Sequence, residues 1–584
     1  MKKGEVSFRI GGAAGDGVAS SAETFSRACT RSGLFVSTYS FYQSIIRGGH
    51  VWTQVRASES PVSCHGEDPD VLICLNQDTA DLHAKNVTEG GAIIVDSNAV
   101  KVEKNELKKG VTLVEIPLLE LSRTYSTAQI MKNTVALGAA VGLLDMDFDI
   151  FVSVVKSQFG AKKQDVIDAN VGAAKAGHDF VAKGKGSFQH SVRYTKQRRM
   201  LVTGNEAIAM GALASGVKFH AQYPMTPSSS ILHYLAAHGP KNGVVVKQSE
   251  DELASINMAI GAGLGGVRAM TATSGGGFSL MVEGLGLAGM LEVPVVVVLA
   301  QRGGPSTGLP TKTEQGDLNL AMGAGQGDWP RAIIAPRNQQ ECFDTTVKAF
   351  NLADVYQTPI ILMTDLVLSE SYGTVSTFDF NVPINRGMIA DESKPEEFKR
   401  YLVTDSGVSP RAFPGQKGFE HIAGSDEHLE DGTLISDVLA GMPDSLKGRV
   451  KMHDKRMRKL EGIIKDTPGP ELWGPERADL TLVSWGATQG ALREAISRVN
   501  AENRVKVNSL EYCYVFPFHS DETKKILKSA SSTMAVEGNH TGQFARLLRA
   551  ETSIEMNHHL RKYDGEPFEP RHIVSKIKEV MKLA

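Results

Sequence analysis

Cysteine is scarce and scattered in this chain: Cys29, Cys64, Cys74, Cys342 and Cys513 are the only five among 584 residues, and no pair is spaced as C-x-x-C. That excludes a disulfide framework and leaves no ligand spacing for an iron–sulfur or zinc site within the chain. Long apolar runs are missing too. None reaches the roughly 18 residues of a spanning helix, and the opening MKKGEVSFRI reads as entry into a strand rather than a signal peptide. The net charge is only −3, so no global field points to nucleic acid or a membrane surface, and a cytoplasmic chain is expected. Acidic residues are absent from Thr24 to Ser58. A dinucleotide reading of the strand-then-GGAAGDG segment needs a carboxylate about 20 positions on to hold the ribose. A tight turn, or another ligand, is therefore the favoured reading there.

Glycine is what the chain has in quantity, 58 residues against 41% apolar content, a composition that suits layered α/β domains. Its length allows three or four of them. Residues 1–185 read as one α/β unit, with strands at VSFRI, VLICL, AIIVD and TLVEI and a helix at NTVALGAAVGLL. A polar, basic stretch at 186–200 reads as a linker. A second unit, 201–375, carries strands near VVVKQ, RAMTAT, VPVVVVLA and TPIILMTD. Residues 376–475 form a charged, Pro/Gly-punctuated connector with one basic helix candidate, DSLKGRVKMHDKRMRKLEGIIKD. A third α/β unit, 476–584, has strands near TLVSW, VKVNSLEY and STMAVEG.

Four segments carry chemistry. In QYPMTPSSSILHYL, Pro224 and Pro227 hold Tyr223 and Thr226 extended, and Ser228–Ser230 are expected to cap a helix from about Ile231. In SEDELASINMAIGAG, Glu252 precedes small residues (Ala254, Ala259 and Gly261), the pattern of a carboxylate on a tightly packed helix. The plainer alternative is a capping box with Ser249 as N-cap. In TATSGGGFSLM, Ser274 and Gly275 turn a strand into a glycine-rich helix. In QRGGPSTGLPTKTEQGD, Arg302 follows a strand's C-terminal end, where open α/β sheets bind ligands, with Thr307 and Thr311 in the adjoining loop. The glycines of Arg47-Gly48-Gly49-His50 allow close backbone approach, or an ordinary turn.

Taken together, YPMTPSS, SEDELASINMAIGAG, TSGGGFSLM and QRGGPSTGLPTKTEQGD resemble the α-subunit of 2-oxoacid:ferredoxin oxidoreductases, in the 2-oxoglutarate type whose γ domain is fused at the N-terminus. The resemblance spans nearly the whole chain, through GGAAGDG, IIRGG and MKNTVALGA in the first unit and SGVSPRAFPG and GSDEHLEDG in the connector. It implies a γ domain, a thiamine-diphosphate pyrimidine-binding domain and a transketolase C-terminal-like domain. It gives Glu252 the contact to the aminopyrimidine, in preference to Glu250, and places Thr226 beside it as a catalytic residue. Tyr223, Pro224, Ser274 and Gly275 become cofactor contacts, and Arg302, Thr311, Lys132, Thr226 and Arg47 substrate contacts.

Thiamine enzymes of this kind hold diphosphate and Mg²⁺ through a GDG followed downstream by asparagine. Gly15-Asp16-Gly17 has no asparagine before Asn76 and lies in the wrong domain. The resemblance thus implies thiamine diphosphate shared with a β subunit that carries the diphosphate and Mg²⁺ site and a [4Fe-4S] cluster, no metal ligands in this chain, CoA as co-substrate, ferredoxin as electron partner and an (αβ)₂ heterotetramer. Three alternatives stay open: a pyruvate or branched-chain 2-oxoacid enzyme, a non-catalytic CoA- or nucleotide-binding assembly subunit, and, more weakly, a nicotinamide dehydrogenase.

Overall fold

The apolar runs of the sequence fall, among the described residues, into three sheets with helices packed against them. The computed structural model describes residues 4–45, 48–182, 184, 188, 190–193, 195, 197–435 and 443–583. The chain divides into two units. One comprises the chain up to Thr203 with Ser371–Thr377 and Glu569–His572; the other comprises Gly204–Glu370, Phe378–Phe568 and the chain from Ile573. No helix among the described residues is long and apolar enough to cross a membrane.

The first unit holds an eight-stranded sheet in the order Thr112–Ile116, Ala92–Asp96, Val71–Cys74, Glu5–Ala14, Gly48–Ser58, Phe35–Phe41, Gly373–Val375, Met200–Val202. Its first strand corrects the turn expected at GGAAGDG. Gly11–Ala14 continue the strand, in register with Trp52 to Gly48 of an antiparallel neighbour. A Cβ on Gly11 would lie 2.6 Å from the Thr79 methyl, so this glycine lets the helix Gln77–His83 close on the sheet. The turn itself is tied down locally: Ala13 N–H donates to Asp16 Oδ2 at 3.0 Å, and Asn133 Nδ2 donates to the Asp16 carbonyl at 2.6 Å. The helix Val18–Arg31 starts behind Gly17, at φ 77°.

The second unit contains two sheets. The larger runs Tyr514–Phe516, Ala332–Ile334, Pro359–Asp365, Val295–Gln301, Ala269–Thr273, Phe219–Gln222, Val245–Gln248. All its pairings are parallel except that of Tyr514–Phe516. Its central strand, VVVVLAQ, is buried throughout, as β-branched residues covered on both faces require. The smaller sheet runs Glu471–Trp473, Val507–Tyr512, Leu480–Trp485, Thr533–Glu537, His558–Arg561. One apolar core serves both, joining Ile256, Phe278 and Val297 to Trp485, Tyr512 and Phe544.

The connector is held by buried charge. Asp354 meets Arg268, Arg411 and Arg386 at 2.8, 2.9 and 3.1 Å. The single basic helix expected here is two, Pro443–Met457 and Lys459–Asp466, which break at Arg458. Lys455 and Lys459 each place Nζ 2.5 Å from the fully buried Glu292, which ends the helix Gly275–Leu291 in the left-handed conformation at φ 54°. Burial opposes ionisation of Glu292, but the two lysines and Arg400 overcome it and hold the carboxyl well below the usual range. Replacing Glu292 with Gln removes the anion between two buried ammonium groups. Such a loss should cost about 3–5 kcal/mol. It is read as a drop in the melting temperature of the purified chain; an unchanged melt would contradict the assignment.

Candidate functional site

The larger sheet of the second unit reverses its strand order between two neighbours. From Phe219–Gln222 the chain moves outward to Val245–Gln248; it then returns to Ala269–Thr273 on the other side and continues through Val295–Gln301 to Pro359–Asp365. Crossovers leave in opposite directions at such a point, and a crevice opens beyond the carboxyl ends of the strands. It is flanked by the loop Tyr223–Ser228 and by Ser274 with the first turn of the helix Gly275–Leu291.

The loop is an elbow built from both sides. Gln222 Nε2 donates to the Ser228 carbonyl and hydroxyl, each at 3.1 Å, and Ser228 Oγ donates to the Met225 carbonyl at 2.8 Å. Asn205 Nδ2 donates to the Pro227 carbonyl at 2.6 Å. The Thr226–Pro227 peptide is cis. This corrects the expected serine cap. The helix begins at Ser229, and Ser228, already helical at φ −79°, makes no side-chain cap because its hydroxyl is used within the elbow. Tyr223 is exposed, while Pro224, Met225 and Thr226 are half-buried.

Glu252 opens the helix Glu252–Leu264 without capping it. Asp251 is the N-cap, its Oδ1 accepting from Ala254 N–H at 2.7 Å, so the capping box from Ser249 does not form. Freed from that duty, the Glu252 side chain is buried at 3% exposure, and its Oε1 has no hydrogen-bond partner among the described residues. Burial pushes its carboxyl above the usual range; its own backbone N–H works the other way and Asp251 adds to the rise. Gly277 is what makes room. A Cβ there would stand 2.1 Å from Thr273 Oγ1 and 2.4 Å from Glu252 Oε1. Ser274, fully buried at the head of the helix Gly275–Leu291, also has an unpartnered hydroxyl. Glu250 is exposed.

Arg302 stands one residue beyond Val295–Gln301, as its position in the sequence indicates, and its Nη1 donates to the Thr226 carbonyl at 2.8 Å. The structure thus joins Arg302 to the elbow. Thr311, half-buried, lies on a loop closed by the Gly303–Leu309 bridge and by Gly303 N–H donating to the Lys312 carbonyl at 3.0 Å. That loop is anchored to the smaller sheet's end: Lys312 Nζ meets Glu566 Oε1 at 2.6 Å, and Gln315 Nε2 donates to the Trp485 carbonyl at 3.0 Å. Gln315 Oε1 accepts from Gly538 N–H at 2.9 Å.

Two expected substrate contacts lie in the first unit. Lys132 is the second residue of the helix Met131–Leu143, and its Nζ donates to the Leu75 carbonyl at 3.0 Å. Arg47 lies outside the described residues. One residue of the site went unassigned in the sequence. Asp317 turns its carboxylate onto Gly275, where a Cβ would be 2.5 and 2.7 Å from its two oxygens, and Oδ2 is buried without a partner among the described residues. Only its place in the TEQGD string marks it, and an aspartate before a helix reads first as a cap.

The residues 210–438 match the family model described as pyruvate flavodoxin/ferredoxin oxidoreductase, thiamine diP-binding, and 7–180 match that of pyruvate ferredoxin/flavodoxin oxidoreductase. The chain is 32% identical to the 2-oxoacid:ferredoxin oxidoreductase subunit alpha of Sulfolobus sp, over 96% of this chain and 95% of that one. It is 31% identical to the 2-oxoglutarate oxidoreductase subunit KorA of Mycobacterium tuberculosis, over 94% and 88%. The structure of 2-oxoglutarate:ferredoxin oxidoreductase from Magnetococcus marinus, with 2-oxoglutarate, coenzyme A and succinyl-CoA bound, superposes with a TM-score of 0.92 at 33% identity, covering 99% of this chain and all of that one. The fold is that of the oxidoreductases that act on 2-oxoacids. Within that class the chain belongs to the α subunits of 2-oxoacid:ferredoxin oxidoreductases.

The geometry gives a pH-dependent expectation. Burial pushes the Asp317 carboxyl up to about 6, with Glu314 adding and Arg302 opposing. A carboxyl raised on folding contributes stability that is present below its ordinary pKa of 3.8 and lost as pH rises through 6. Asp317→Asn should therefore gain on the wild type between pH 4 and pH 8, by on the order of 3 kcal/mol. Thermal melts across that range check it, and a variant that loses ground toward pH 8 would contradict it.

Proposed function

We propose that this chain is the catalytic α subunit of a thiamine-diphosphate-dependent 2-oxoglutarate:ferredoxin oxidoreductase. With CoA it interconverts 2-oxoglutarate and succinyl-CoA plus CO₂, exchanging electrons with ferredoxin through a [4Fe-4S] cluster in a β partner. That partner holds Mg²⁺ and the diphosphate, and the working unit is an (αβ)₂ assembly. The observation that carries the reading is the buried Oε1 of Glu252, without a partner among the described residues and packed on Gly277 at the strand-order reversal. It fits a ring-nitrogen donor of the aminopyrimidine, which would satisfy an oxygen that none of the described residues satisfies. When bound, thiamine diphosphate supplies the carbon nucleophile and the electron sink for loss of CO₂.

The chain's own residues do the rest. Glu252, in its dry setting, shares a proton with the ring, and its raised affinity for protons suits that task. Tyr223 and Pro224 form the elbow's wall against the cofactor, with Ser274 and Gly275 opposite. Arg302 offers a guanidinium fork to the substrate's 1-carboxylate, and Thr226 and Thr311 offer hydroxyls to the carbonyl and carboxylate. The 2-oxoglutarate preference is supported by the names of the Mycobacterium and Magnetococcus relatives. On the same reading the γ domain spans 1–185, the pyrimidine-binding domain 201–375 and the transketolase C-terminal-like domain 476–584.

The experiment is a substrate series on the chain co-purified with its neighbouring subunit. kcat/KM is measured for 2-oxoglutarate, pyruvate and 2-oxobutyrate in wild type, Arg302→Ala and Lys132→Ala. Wild type should favour 2-oxoglutarate, and Arg302→Ala should depress all three. Lys132→Ala tests the role that the resemblance gives Lys132, a cation for the distal carboxylate, whose burial unpaired costs several kcal/mol. KM for 2-oxoglutarate should then rise far more than for the two monocarboxylates. Equal losses on all three acids would remove that role, and a wild type that prefers pyruvate would replace the substrate.

A further inference from the structure

The roles assigned above leave one carboxyl of the site unused, half-buried and with one oxygen shut off from solvent. Asp317 is the N-cap of the short helix Leu318–Met322, a position where an aspartate ordinarily turns its oxygen back to a helix N–H. Here the side chain makes no cap. The backbone is fixed instead by others: Asp317 N–H donates to Gln301 Oε1 at 3.0 Å, and its carbonyl accepts from Ala321 N–H at 2.9 Å. So held, the carboxylate lies across Gly275, with Oδ2 buried and unpartnered among the described residues.

Its charged neighbours are of both signs. Arg302 extends from the adjacent strand end and lowers its proton affinity, while Glu314 of the same loop raises it. Glu252 lies against Gly277 on the same glycine turn. The site therefore sets a cation and an anion within electrostatic reach of one another, Asp317 N–H being held by the side chain of Gln301, the residue before Arg302, at the place where an anionic substrate is read to bind. A carboxylate arriving at Arg302 takes up the attraction that Arg302 now gives Asp317 and brings a like charge close to a desolvated one. Two carboxylates in one dry site do not both stay ionised. Asp317 is the group placed to yield: its Oδ2 has no donor among the described residues, and it is the carboxyl that feels both Arg302 and Glu314.

Resting on the reading of Arg302 as the substrate-carboxylate contact, we propose that Asp317 is a proton-linked specificity residue: it takes up one proton from solvent when a 2-oxoacid binds at Arg302. The step is a protonation alone. One O–H bond forms on Asp317, the proton returns to solvent when the ligand leaves, and the protonated oxygen becomes a donor toward the bound carboxylate. Burial pushes the free carboxyl up only to about 6, so at neutral pH most of the proton must be acquired on binding.

The test is calorimetric. 2-Oxoglutarate is titrated into the co-purified complex, without CoA or electron acceptor, at pH 6, 7 and 8, in pairs of buffers with different ionisation enthalpies. Wild type should show net proton uptake approaching one per site. Its Kd should rise with pH, by up to about tenfold per unit while a full proton is linked. Asp317→Asn, a neutral isostere, should bind with no uptake and a flat Kd, and more tightly than wild type at pH 8. Glu314→Gln removes a neighbouring charge and should move the pH range of the uptake downward; it decides the matter if Asp317→Asn does not fold. Binding without proton uptake in wild type, or undiminished uptake in Asp317→Asn, would overturn the inference while leaving the reading of Arg302 intact. No binding of 2-oxoglutarate at any pH would overturn that reading, and the inference with it.

Discussion

A carboxylate kept dry and unpaired is the constraint around which the second unit is organised. Burying an ionisable group without a partner is expensive, and folds avoid it unless something outside the chain supplies the partner. Here several features cooperate to keep Glu252 in that state. Asp251 takes over the helix cap, Gly277 leaves no Cβ to fill the space, and Thr273 and Met225 close the approach, the threonine hydroxyl lying 3.8 Å from the methionine sulfur. The neighbouring Ser274 hydroxyl and Asp317 Oδ2 are unsatisfied as well. Three polar atoms without partners among the described residues, gathered at the start of one glycine-rich helix beside the reversal of strand order, fit the proposed seat for a polar ligand.

The smaller sheet of this unit acts on the site at a distance. It contributes none of the proposed contacts, yet it fixes the loop that carries Thr311 and Asp317. Gln315 is the hinge of that arrangement. Its side chain reaches Trp485 and Gly538, its N–H donates to the Gly538 carbonyl at 2.7 Å, and its carbonyl accepts from Asn539 at 3.1 Å. Because the two sheets share one apolar core, the loop is referenced to the same rigid body that holds Arg302 and the elbow. Charge-assisted contacts depend on such placement, since a guanidinium fork loses its advantage when its angle drifts.

Much of this was legible in the sequence where one physical requirement dominates a segment. Buried parallel strands read as β-branched runs, so Val295–Gln301 and Pro359–Asp365 were found near their true ends. The long strand Glu5–Ala14 was cut short, because glycine usually ends a strand and the reason it does not here, Thr79 pressing on Gly11, is a tertiary contact. Competing hydrogen bonds override serine capping twice, at the expected cap Ser228 and at Ser249, where the box was the alternative to the Glu252 reading. Ser228 and Ser249 have the right chemistry, but the first is used within the elbow and the second faces Ser255. Glu252 stood out by its small-residue setting, whereas Asp317 did not, since nothing local separates a side chain that caps from one that points away. Of the connector only the basic helical segment was legible, and not its break at Arg458, because the contacts that anchor it run to Glu292 and Asp354, residues outside it in sequence.

The central claim is that Glu252, and no other carboxylate of its segment, completes the cofactor's ring. Turnover of 2-oxoglutarate by the assembled complex, compared between Glu252→Gln and Glu250→Gln, tests it most directly. Loss of a positioned proton-transfer group lowers turnover by roughly 10²–10⁴-fold. That loss is expected for Glu252→Gln, with the complex still assembled and Glu250→Gln near wild type. The claim is contradicted by a Glu252→Gln complex that turns over normally while Glu250→Gln is inactive.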